Sequence, residues 1–142
     1  MIGSMRQLTA FGAALALAAL TVACSDPVAP ILPNPVTPTI TESFNGTLTI
    51  GGNNLHTFQV SKIGALKVTL TDIEPGAAVR LSVGTPSTAT GICSPLNGLT
   101  TVAGVDAQIS GTATIPGTFC ISVSDVGNLV ESVNYTVLVL HS

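Results

Sequence analysis

From Ser43 onward, apolar residues recur at every second position in short runs. "VNYTVLVLH" (133–141) sets Tyr135, Val137 and Val139 on one side and Thr136, Leu138 and Leu140 on the other. "TFCISVS" (118–124) sets Phe119, Ile121 and Val123 against Cys120, Ser122 and Ser124. "ALKVTLTD" (65–72) and "VRLSV" (79–83) alternate in the same way. A period of two is the side-chain period of an extended strand, and a strand with one apolar side must bury that side. Turn signals separate the runs: "GGNN" (51–54), expected to close a hairpin, "EPGA" (74–77) and "PG" (116–117). No ten-residue window carries a helical repeat. The pattern predicts an all-β fold, an antiparallel β-sandwich of seven or eight short strands over residues 43–142. Each sheet then has one buried and one wetted face. The stretch 84–101 does not alternate and reads as a long loop.

The last run departs from the pattern, because Leu138 and Leu140 make its second side apolar too. Either a loop of the chain covers them or they form a binding face for a partner. Composition narrows the partner. Charged residues are 8% of the chain, against roughly 25% in an ordinary soluble domain. Four Lys and Arg cannot form a basic patch, which argues against nucleic acid.

The first 24 residues have a different logic. Arg6 precedes an apolar run, "LTAFGAALALAAL" (8–20), too short for a membrane span of about 20 residues. Met5 serves equally well as a start. The run ends in Thr21-Val22-Ala23-Cys24, which resembles the lipobox of bacterial lipoproteins. That resemblance implies a signal peptide over 1–23, diacylglycerol on the Cys24 sulfur, and Cys24 as the first mature residue. Ser25 after the cysteine implies the outer rather than the inner membrane. Several acyl chains hold a protein stably, where one does not. A lipid bilayer is therefore the first expected partner and the cell envelope the expected location.

Residues 24–42 contain Pro27, Pro30, Pro33, Pro35 and Pro38. Spaced prolines fit neither a helix nor a central strand, so the segment reads as an extended tether reaching roughly 50 Å. With Cys24 acylated, Cys93 and Cys120 remain and are expected to pair, as an extracytoplasmic compartment allows. Cys120 lies on the serine side of its run. The bridge would thus staple the 84–101 stretch over an outer sheet face.

"FNGTLTIGGNNLHTFQVSKIGALKVTLTDIEPGAAVRLSV" followed by "IPGTFCISVSDVGNLVESVNYTVLVLH" resembles the bacterial pre-peptidase C-terminal domain. Gly117-Thr118-Phe119, Ile121 with Val123, Gly127 and Asn134-Tyr135-Thr136 carry the likeness, which spans about 100 residues. It implies a jelly-roll-like sandwich that accompanies secreted peptidases, some members binding collagen, polysaccharide or calcium. The acidic clusters and surface aromatics of those members are missing here, so the fold carries over and the binding does not.

Catalytic and metal signatures are also missing. His56 and His141 fit no metal spacing, no G-x-S-x-G elbow exists, and Asp72, Glu74, Asp106, Asp125 and Glu131 are scattered. The expectation is a non-catalytic module needing no cofactor or metal. It would engage an envelope protein or an extracellular polysaccharide. The alternative is a small secreted hydrolase or an accessory to one.

Overall fold

The computed structural model describes residues 39–142. Cys24, the signal peptide and the tether up to residue 38 lie outside the described residues. Eight strands follow in order: β1 (Ile40–Leu48), β2 (Asn53–Val60), β3 (Gly64–Glu74), β4 (Val79–Pro86), β5 (Cys93–Thr101), β6 (Gln108–Ala113), β7 (Gly117–Asp125) and β8 (Val133–His141). They form two four-stranded antiparallel sheets, β1-β8-β3-β6 and β2-β7-β4-β5. The pairings β1–β8, β2–β7, β3–β6 and β4–β5 are those of one long hairpin rolled on itself, which is the jelly roll.

Alternation determines what meets in the middle. Val68 and Leu70 of β3 and Val137 and Val139 of β8 face Val79 and Leu81 of β4 and Ile121 and Val123 of β7. None of the eight is exposed. Each such side chain contributes about 1.5–3 kcal/mol through burial. Tyr135 is also inward, as its place in the series requires. Continuing the series two residues past Val139 brings His141 inward as well, where it is buried.

Three expectations need correction. The 84–101 stretch is not a loop: β4 runs on to Pro86, and β5 occupies Cys93–Thr101. Pro95 is tolerated there because β5 is an edge strand, bonded on one side only. "GGNN" does not close a hairpin. Gly51, at φ 65°, turns the chain from β1 in one sheet to β2 in the other. The sandwich begins before Ser43, since Ile40 already pairs with His141. The expected bridge is present: Cys120 lies on the serine side of β7, away from the core cluster, and is fully buried. Cys93 is bonded to it, and the two Cα atoms are 5.8 Å apart. The bridge draws the start of β5 over the outer face of its own sheet. There Gly84 comes so close to Ser94 that a side chain at 84 would run into the Ser94 carbonyl.

Candidate functional site

Antiparallel order sends the connections to opposite ends of the sandwich. The turns 49–52, 75–78, 102–107 and 126–132 share one end, away from Ile40. The turns 61–63, 87–92 and 114–116 share the other with Ile40 and His141. The first is here called the distal end and the second the proximal end.

The distal end holds an open depression of about 410 Å³. That is within the roughly 300–1,000 Å³ of ligand pockets. Ala77 and Ala78 line it from the β3–β4 turn, Val102 from the β5–β6 turn, and Leu129, Val130 and Glu131 from the β7–β8 turn. Ile50, Val102, Val105, Val126 and Val130 are all exposed around this end, Val130 at 89%. An exposed β-branched residue on each of several neighbouring loops makes a patch that water does not favour. Asp72, Glu74, Asp106, Asp125 and Glu131 stand at the same end, with Arg80 as the one cation there among the described residues.

Asp125 holds this end in shape. Its Oδ1 accepts the backbone N–H of Gly127 at 2.8 Å, of Asn128 at 3.2 Å and of Leu129 at 3.3 Å. Its Oδ2 accepts the Gly51 N–H at 2.8 Å. One carboxylate thus ties the β7–β8 turn, which lines the depression, to the β1–β2 turn. The Gly51 amide above all, with those of Gly127, Leu129 and Asn128, holds its carboxyl below the usual aspartate value against a smaller effect of burial.

A second polar cluster lies between β1, β2 and β8. His56 Nε2 is 2.8 Å from the Tyr135 hydroxyl, and the Phe44 ring packs 5.1 Å from the imidazole. Burial lowers the pKa of His56 and raises that of Tyr135, so both groups stay neutral near pH 7. The hydrogen-bond partner of the imidazole Nε2 is the Tyr135 phenol. Among the described residues, no three His, Cys, Asp or Glu side chains converge to hold a metal ion. At the proximal end, buried His141 meets Glu42, with Nε2 2.8 Å from Oε1.

Leu138 and Leu140 lie on the outer face of their sheet. Their cross-strand neighbours are Ser43 and Thr41 on β1 and Thr69 and Lys67 on β3. Both leucines are half-buried. They and the distal depression therefore belong to different surfaces. The alternation picked out the leucines and missed the distal end, which is assembled from four turns far apart in sequence.

No family model matches the chain, and no curated protein matches it in sequence. Solved structures are similar to it in shape. The periplasmic g-type lysozyme inhibitor PliG of Aeromonas hydrophila superposes with a TM-score of 0.54 at 16% identity, over 71% of this chain and 86% of that one. The Yersinia pseudotuberculosis-derived mitogen does so with a TM-score of 0.54 at 12% identity, over 72% of this chain and 86% of that one. At such identities the likeness is one of fold, and it places the chain among β-sandwich proteins.

Proposed function

We propose that the protein is a non-catalytic binding module of the bacterial cell envelope, held to a membrane by lipid on Cys24. It engages another envelope protein or an extracellular polymer through the distal end of the sandwich. The observation that carries this reading is the 410 Å³ depression with its apolar rim, held in shape by Asp125. The distal end also lies opposite Ile40, the first strand residue after the segment that leads from Cys24. The outer face around Leu138 and Leu140 is the competing surface. The likeness to the pre-peptidase C-terminal domain rests on the sequence blocks above and is consistent with the jelly-roll order of the sheets.

A second reading has its own support. PliG is an inhibitor of a lysozyme, so a sandwich of this shape can act on a hydrolase by binding it. Under that reading the partner is a secreted or envelope hydrolase.

The test is a pull-down with the immobilised mature protein, offered envelope extract and a panel of soluble polysaccharides. Three forms are compared: native, Val102→Asp/Val130→Asp, and Leu138→Asp/Leu140→Asp. Retention lost only in the valine variant supports the distal end. Retention lost only in the leucine variant moves the site to the outer face. No retention by a folded native protein overturns the binding reading.

A further inference from the structure

The proximal end differs from the distal end in charge. Of the described residues, both lysines, Lys62 and Lys67, lie toward it and are exposed. Among the described residues, Glu42 is the acidic side chain there, and it is tied to His141. The proximal turns also carry exposed isoleucines: Ile63 at 63%, Ile92 at 58% and Ile115 at 65%, with Ile40 at 44% beside them. One large aliphatic side chain on each of three turns, plus one on the entering strand, gives an apolar rim around the whole end.

We propose that this proximal end seats on an anionic lipid bilayer, with the four isoleucines at the headgroup boundary and Lys62 and Lys67 over lipid phosphates. The inference rests on the lipid-anchor reading. Two observations commit it to a bilayer. The chain leading back to Cys24 joins the domain at this end, through Ile40. The strands are nine residues long in β1 and β8, about 30 Å, so the distal end would have to swing over to touch the same membrane. Charge makes the same choice, because the acidic distal end is repelled by anionic lipid and the lysine-bearing end is attracted. An anchor on Cys24, 16 residues before Ile40, would keep the domain at an effective concentration on the order of millimolar near the bilayer. A surface this small therefore suffices, although it would bind poorly on its own.

The experiment uses the full mature protein reconstituted into vesicles of phosphatidylethanolamine and phosphatidylglycerol, or of phosphatidylcholine alone. An environment-sensitive dye is placed at Ile115→Cys or at Val130→Cys. The proximal dye is expected to shift to the blue and to be quenched by spin-labelled lipid in the anionic vesicles. In phosphatidylcholine the response should fall several-fold, as it should in a Lys62→Glu/Lys67→Glu protein that still floats with the vesicles. A proximal dye as water-exposed as the distal one, on protein that floats, overturns the seat and leaves the anchor standing. Protein that does not float overturns the anchor instead. In that case the same dye, read at low salt while anionic vesicles are titrated past the millimolar lipid that the anchor would have supplied, decides the seat by responding or staying silent. A response of both dyes that grows with protein concentration and needs no vesicles means the acidic end of one copy occupies the proximal end of another, and it overturns the proposal.

Discussion

Reducing the Cys93–Cys120 bridge should cost the sandwich a large share of its stability, and the amount follows from the structure. The two cysteines are 27 residues apart. Chain entropy for a closed loop of that length gives about 3.5 kcal/mol at 25 °C. A domain of this size unfolds with an entropy of roughly 0.2 kcal/mol per degree, so Tm should fall by about 15 °C. Urea titrations with and without reductant measure the loss without changing a side chain. A Cys93→Ala/Cys120→Ala protein then adds the packing lost at Cys120, which is fully buried. The reduced protein should also unfold with a steeper urea dependence, because its unfolded chain is no longer held compact. Loss below about 1 kcal/mol on reduction, with thiols confirmed free, would refute the reasoning. It would mean that β5 is held over its sheet by the β4 ladder alone.

Three further outcomes are expected. Asp125→Ala should raise amide exchange in the 126–132 turn and weaken distal binding. Asp125→Asn should restore most of the turn, since it keeps an acceptor for Gly127, Asn128 and Leu129 and loses the one for Gly51. The carboxyl is held below its ordinary value of 3.8, so its stabilisation is complete above that pH and is lost as pH falls through the lower folded value. His56, depressed below 6.5 by burial, should make the domain less stable as pH drops from 6.5 to its folded value, and a His56→Gln protein should lose that slope in pH-dependent urea midpoints. Gly84→Ala should destabilise by about 1–3 kcal/mol in thermal melts, because the new methyl collides with the Ser94 backbone.

The parts of the fold legible in the sequence were those where one side of a strand is buried and the other wetted. β8 alternates without a break, so its bounds and its inward set, Tyr135, Val137 and Val139, were both readable. β5 was not, because "CSPLNGLTT" has its cysteine on a covered outer face and Pro95, Asn97 and Gly98 where a central strand would need β-branched residues. Its strand character comes from the β4 ladder and the bridge. The entry to β1 was hidden for another reason. Ile40, Thr41 and Glu42 follow five prolines, and only pairing with β8 makes them strand. The Gly51 turn looks the same locally whether it joins paired strands or crosses between sheets, and the choice is made by long-range pairing. The distal site was invisible because its lining comes from short turn segments far apart in sequence, 75–78, Val102 and 128–131, with no period to betray them. Asp125 carried a faint signal, an aspartate just before Val126-Gly127-Asn128, where a side-chain acceptor can cap a turn.

Photo-crosslinking in the native envelope tests the central claim most directly. A photoreactive amino acid is placed at Val130, at Leu138 or at Ile115 of the full chain. A discrete adduct from Val130, absent from Leu138 and diminished by Asp125→Ala, is the result predicted for a module that binds through its distal end. An adduct from Leu138 with none from Val130, at equal expression and folding, would contradict it.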